Sequence, residues 1–153
     1  MDQARLLHIH TAVRTGRPMV SSEFVVAITD QGIEGDRYAT GLGKYSRSPG
    51  ARGITLFPIE TIREMQSQHG PDLLVHEHRR NLTTEGIDPN DLIGQKFTIG
   101  DVTLEGLRPC QPCRYLNMMS KKQVSTLLAN RAGVFCQVVS GGTLKVGDLI
   151  QIT

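Results

Sequence analysis

Apolar positions recur every second residue in several short runs and at helical spacing in two others. Leu6 to Val13 and Phe24 to Ile28 are strand-length runs rich in β-branched residues, parted by the turn signal Gly16-Arg17-Pro18. Ile54 to Phe57 predicts another short strand. Pro58 then suits the first position of a helix that carries Ile59, Ile62 and Met65 on one side, has Glu60 in its first turn and ends at Gly70-Pro71. Ser120 and Gln123 have the spacing of a capping box ahead of Val124, Leu127 and Leu128, which predicts a second helix ending before Gly133.

The remaining patterned segments are β. Phe97 to Leu104 and Leu144 to Ile150 each read as alternating strand, tight Gly-Asp turn and alternating strand, so each predicts a hairpin. Val134 to Val139 adds a strand that Gly141-Gly142 joins to the second hairpin. The expected fold is mainly β with a few helices, a β-rich α+β chain whose many short strands favour a closed or nearly closed β-barrel.

A chain of 153 residues predicts a single domain with a core that needs neither disulfides nor metal. The start, Met1-Asp2-Gln3-Ala4-Arg5, lacks a signal-peptide pattern and no apolar run reaches spanning length, so a cytoplasmic protein with reduced thiols is expected, with no membrane partner. A net charge of +2 is too small to imply nucleic-acid binding. The cations are clustered, however, and the clusters coincide with the unpatterned stretches.

From Thr29 to Gly53 the chain follows neither period. It carries Gly32-Ile33-Glu34-Gly35-Asp36-Arg37-Tyr38, four further glycines, and Lys44, Arg47 and Arg52. Repeated glycines let backbone N–H groups approach an anion, and basic side chains add charge-assisted hydrogen bonds; an ordinary charged surface loop is the plain alternative. A second dense polar run spans His76-Glu77-His78-Arg79-Arg80-Asn81-Leu82-Thr83-Thr84-Glu85-Gly86. Arg79, Arg80 and Asn81 suit an anionic or amide-bearing ligand better than a solvated charge run. His76 and His78 lack the paired ligand spacing of a structural zinc site. His8 and His10 share one strand face, which reads as solvated rather than metal-binding.

The leading candidate for chemistry is Leu107-Arg108-Pro109-Cys110-Gln111-Pro112-Cys113-Arg114-Tyr115. Two prolines keep this run out of helix and central strand and leave a stiff loop. Arg108 and Arg114 favour thiolate, the form that attacks electrophiles and binds metals; a space-filling cysteine is the alternative. Lys121 and Lys122 stand in the first turn of the second expected helix, where the macrodipole disfavours cations unless an anion binds there.

Gly32-Ile33-Glu34-Gly35-Asp36-Arg37, Arg80-Asn81-Leu82-Thr83-Thr84-Glu85-Gly86, Phe97-Thr98-Ile99-Gly100, Pro109-Cys110-Gln111-Pro112-Cys113 and Gly133-Val134 through Gly147-Asp148 succeed one another as in MOSC domains. Over residues 22 to 152 the chain resembles the stand-alone bacterial MOSC proteins, which are related to the C-terminal domain of molybdenum cofactor sulfurases. The resemblance implies a barrel-like domain that binds the molybdenum cofactor, a phosphorylated pterin whose dithiolene holds the metal.

In the branch containing the mitochondrial amidoxime reducing component, the position matching Cys113 ligates molybdenum, positions like Arg79 and Asn81 lie at the cofactor, and N-hydroxylated compounds are reduced. The implied site therefore comprises Cys113 as metal ligand, Cys110 beside it, and Asp36, Arg37, Arg52, Arg79, Arg80, Asn81, Thr83, Arg114, Lys121 and Lys122 around the cofactor. Tyr38 stands where many relatives have histidine, and Cys110 where others have arginine. The pyridoxal-phosphate domain of full sulfurases has no counterpart here.

Three functions compete. One is reduction of a small N-hydroxylated substrate with electrons from a separate redox protein. A second is carriage of cofactor or sulfur, as a persulfide on Cys113 or Cys110, to a client molybdoenzyme. A third, thiol–disulfide exchange at the Cys-x-Pro-Cys-like pair, is disfavoured because such motifs lie between strand and helix early in an α/β unit.

Overall fold

The computed structural model describes residues 3–12, 19–36, 53–69, 80–110 and 133–153. Eleven strands and one α-helix fall within them. The strands are β1 (Arg5–Thr11), β2 (Val20–Ser22), β3 (Phe24–Ile28), β4 (Gly32–Ile33), β5 (Ile54–Pro58), β6 (Leu82–Glu85), β7 (Lys96–Ile99), β8 (Val102–Pro109), β9 (Val134–Ser140), β10 (Gly142–Lys145) and β11 (Ile150–Ile152). The helix, α1 (Ile59–His69), follows β5, and a short 3-10 helix (Pro89–Leu92) follows β6.

Eight strands form one mixed sheet in the order β11-β7-β8-β9-β5-β6-β1-β2, and three form a second in the order β10-β3-β4. The β5–β6 pair is parallel, which demands a crossover between the two strands. Helix α1 lies in that connection, burying Ile59 and Ile62. It begins one residue later than expected, because Pro58 ends β5 rather than opening the helix.

The first expected hairpin forms as read. Ile99 pairs with Val102 across a two-residue turn, and Gly100 takes the positive φ (+56°) that such turns require. The second does not form. A turn exists, with the Asp148 N–H donating to the Lys145 carbonyl (3.0 Å) and Asp148 Oδ2 accepting from the Lys145 N–H (2.9 Å). Its arms then diverge: β10 pairs with β3 in the small sheet, whereas β11 pairs with β7 in the large one. A Gly-Asp turn specifies a reversal of direction, but the partner is chosen by which neighbour completes the core.

That divergence also decides the question of closure. Among the described residues the strands do not build the expected closed or nearly closed barrel; both sheets are open, with β11 and β2 at the ends of the larger. The beginning of β1 touches the start of β11 through one isolated bridge, Arg5 to Leu149, flanked by the Leu6 N–H to Asp148 carbonyl bond (2.9 Å), the Gly147 N–H to Leu6 carbonyl bond (2.7 Å) and the Ile150 N–H to Ala4 carbonyl bond (2.9 Å).

The core lies on one face of each sheet. Leu6, Ile9, Leu56, Leu82, Leu104 and Val138 are all fully enclosed, and each such aliphatic side chain contributes about 1.5–3 kcal/mol by leaving water. Strict alternation would not put both Leu6 and Ile9 inward. A register shift between Leu6 and His8 in the β1–β6 pairing inserts the extra residue that allows it. The expectation of a solvated histidine face is corrected here: His10 is only 6% exposed, because its strand is interior to the sheet and its outward face is covered.

On the exposed side, Arg5 on β1 and Arg63 on α1 both reach Glu85 on β6 at 2.9 Å. Hydrogen bonding to Arg63, then Arg5, holds the Glu85 carboxyl below its ordinary range. No described helix is long and apolar enough to cross a membrane.

Several glycines are required by backbone packing. Gly53 has φ +130°, and a Cβ there would lie 2.1 Å from the Cys136 carbonyl oxygen on the neighbouring strand. Gly53→Ala is therefore expected to destabilise the protein by about 2–3 kcal/mol, read as a lower urea midpoint with unchanged m-value.

Candidate functional site

The functional candidates collect on the face of the large sheet that points away from the core. Register places them in a row. Arg108 on β8 pairs with Phe135 on β9, and Phe135 pairs with Thr55 on β5. Thr55 is bonded to Asn81 at the head of β6, and Asn81 in turn takes the His10 N–H of β1 on its carbonyl (2.7 Å). Paired residues on adjacent strands share a face, so one line of side chains crosses five strands.

Asn81 is the hinge of that row. Its Oδ1 accepts from both the Thr55 N–H and the Thr55 hydroxyl, each at 3.1 Å. Its own N–H donates to Thr55 Oγ1 (2.9 Å), and its Nδ2 donates to the His10 carbonyl (3.2 Å). At 1% exposure the amide is sealed from water, and these bonds satisfy it. The residue that the motif assigns to a ligand thus also ties β1, β5 and β6 together.

Asp36 is likewise wholly buried, and its Oδ1 accepts from the Ala12 N–H (3.0 Å) just beyond β1. Ahead of it, Gly32 has φ +122° and bridges Gly53, and a Cβ on Gly32 would lie 2.7 Å from the Gly53 carbonyl oxygen. The close approach that Gly32 permits is to backbone, not to an anion. Thr83, next on the outward face after Asn81, is fully buried.

Cys110 follows the end of β8, with its N–H donating to the Gly133 carbonyl (2.8 Å) and its side chain 2% exposed. Burial pushes its thiol above the ordinary range, and the charges of Arg80 and Arg108 oppose that shift without overcoming it. The expectation that flanking arginine favours thiolate at one of the two cysteines is therefore corrected for Cys110, where desolvation outweighs the field of two guanidiniums; Cys113 lies outside the described residues. Cys136, on the core face of β9, is likewise raised, by burial first and by the neighbouring Cys110 second. Both thiols are reduced.

The structure thus brings Arg80, from the head of β6, and Arg108, from the end of β8, to act on one buried spot. Arg108 also stacks 4.5 Å above the Phe135 ring. Arg37, Arg52, Arg79, Cys113, Arg114, Lys121 and Lys122 lie outside the described residues, as do His76, His78 and the second expected helix. Among the described residues no group of three metal-binding side chains forms.

A cleft of about 400 Å³ opens beside Cys110's partner Gly133, lined also by Pro58, Glu60, Gly86, Asp88 and Asn90. Two carboxylates on its wall suit it poorly to a phosphate.

Sequence reasoning passed over Thr55, Phe135 and Cys136. The alternation Ile54-Thr55-Leu56 was a usable signal, since a threonine between core aliphatics faces the opposite side of the sheet. Nothing local marks Phe135 as the platform for Arg108, because the pairing spans two strands remote in sequence.

This β-rich architecture agrees with the relatives found. A family model of the MOSC domain matches residues 34–151, and the chain belongs to that family. Among solved structures, the YuaD protein of Bacillus subtilis superposes with a TM-score of 0.78 at 17% identity, covering 99% of this chain and 96% of that one. YiiM of Geobacillus stearothermophilus gives 0.74 at 14% identity over 98% and 75% of the two chains. YiiM of Escherichia coli gives 0.67 at 19% identity over 97% and 69%. Comparison with curated protein sequences returns no match.

Two outcomes follow from the geometry. Asn81→Ala strands the Thr55 N–H and the His10 carbonyl and is expected to cost about 2–4 kcal/mol in denaturant unfolding. Because the folded state holds the Cys110 and Cys136 thiols protonated above their unfolded pKa, their contribution to stability is fully present below about pH 8.5. As pH rises beyond that, the unfolded chain releases protons that the folded chain retains, so stability falls. Cys110→Ser and Cys136→Ser, followed by urea melts from neutral to alkaline pH, should each flatten that decline.

Proposed function

We propose that this MOSC protein binds the molybdenum cofactor and reduces small N-hydroxylated compounds, drawing electrons from a separate redox protein. The carrying observation is the convergence of Arg80 and Arg108 on Cys110, just past the end of β8 and three residues before Cys113. Two guanidinium charges acting at one buried position favour an anion there, and a phosphorylated pterin is such a ligand.

The residues present fit that group. Cys113 supplies the soft thiolate that ligates the metal. Arg80 holds negative charge on the pterin side, with Arg37, Arg52, Arg79, Arg114, Lys121 and Lys122 as the further cations of the reading. Asn81 and Thr83, both sealed within the sheet, fix the strand end that presents Arg80 to it, and Asp36 anchors the loop that leads to Arg37. When bound, the cofactor supplies the two-electron chemistry that removes oxygen from nitrogen. The chain itself supplies charge, orientation and a face from which water is excluded. Cys110, protonated and sealed, packs against this site rather than attacking substrate. A carrier of cofactor or sulfur for a client molybdoenzyme is the second reading, and there the persulfide belongs on Cys113, since the Cys110 thiol is held neutral.

The test is retention of molybdenum and pterin after purified protein is incubated with released molybdenum cofactor. The original chain is expected to keep both near one per chain, Cys113→Ala to lose the metal, and Arg80→Ala to weaken pterin retention by about tenfold or more. Turnover of a hydroxylamino purine by the loaded protein with a competent reductant selects the enzyme; binding without turnover, with a persulfide on Cys113, selects the carrier. Absence of both metal and pterin from the original chain overturns the proposal.

A further inference from the structure

The three-stranded sheet carries a face that the site does not use. Its inner side joins the core through Val25, Ala27, Ile33 and Leu144. Its outer side, which alternation predicts to be polar in a sheet with one face solvated, instead presents Phe24 at 64% and Val26 at 41% exposure. Two exposed apolar side chains two residues apart on the middle strand place one apolar patch on this face.

The charges beside that pair specify what fits it. Lys145 on β10 lies directly opposite Phe24. Glu34, just past β4, donates its N–H to the Val26 carbonyl (2.9 Å), next to the Ala27–Ile33 pair, so it flanks Val26 on the other side. Both are exposed, and neither makes an ion pair among the described residues. The outer face is thus an apolar centre with a cation along one edge and an anion along the other.

Such a face is complementary to itself. Turning a second copy by 180° about an axis parallel to β3 sets the two outer faces together and carries the β10 edge of one over the β4 edge of the other. Phe24 and Val26 then meet their own counterparts, and Lys145 faces the partner's Glu34 at both ends of the contact. Along the strand the two charges are offset by two residues, roughly 7 Å, which a lysine and a glutamate side chain together span. Any other arrangement of two copies on this face sets like charge on like or leaves the ions unpaired.

We propose that the β10-β3-β4 face is the two-fold interface of a homodimer, with Phe24 and Val26 at its centre and Lys145 paired to the partner's Glu34. A face of three short strands is small against the roughly 800 Å² per partner of a standard interface. The association is therefore reversible, with monomer and dimer exchanging as concentration changes.

Sedimentation equilibrium of the full chain across the micromolar range tests this, with a thermal melt of each variant to confirm folding. The original chain is expected to dimerise, and Phe24→Asp to be a folded monomer. Lys145→Glu and Glu34→Lys should each weaken association by about tenfold, since each reversal acts twice in a symmetric contact. Combining the two reversals should restore association, because it re-creates both pairs with opposite sign. A chain that stays monomeric throughout, a dimer indifferent to Phe24→Asp, or a double reversal no tighter than its parents overturns the proposal.

Discussion

The amide of Asn81 is the interaction on which the rest of the structure turns. Parallel strands such as β5 and β6 have no hairpin to set their register, and the connection between them is long. Asn81 sets it instead, by exchanging three hydrogen bonds with Thr55 and reaching across to the His10 carbonyl on the third strand. All of these groups are buried, so each bond is held in place by the high cost of leaving its partner unmet. The polar run around Asn81 is thereby fixed relative to the end of β8, and Arg80 comes to act on the same spot as Arg108.

The large sheet has two faces of different chemistry. One is aliphatic and constitutes the core; the other carries buried Thr55, Asn81, Thr83 and His10 beside the partly exposed Arg108. A buried polar face is costly unless every group is satisfied, and it specifies position where aliphatic packing alone tolerates slippage. The same low polarity raises the thiols. For Cys110 the balance between desolvation and two guanidiniums is won by desolvation, which separates the two cysteines of the motif in role: a neutral packing thiol at 110, and a ligand position at 113 in the proposed reading.

Membership in the MOSC family accounts for the order of motifs along the chain, and the structural neighbours at 14–19% identity show how far the fold outlasts sequence. The exposed Phe24 and Val26 of the small sheet lie on its outer side, where no core constraint demands them; contact with another copy is the proposal made for them above.

Much of the local structure was decided by the sequence alone. Alternating β-branched runs specify strands, Gly100-Asp101 specifies a two-residue hairpin, and the cluster at 80–86 marks where polar groups gather, because these depend on neighbours within a few residues. What only the tertiary structure decided are the pairings between distant segments. Lys145 to Ile150 reads as a hairpin and turns as one, yet its arms join different sheets because β3 and β7 offer each arm a better burial. The open sheets, the buried His10, the Phe135 platform under Arg108 and the raised Cys110 thiol share that origin. Burial is a property of what the rest of the chain places nearby, and no window of sequence contains it.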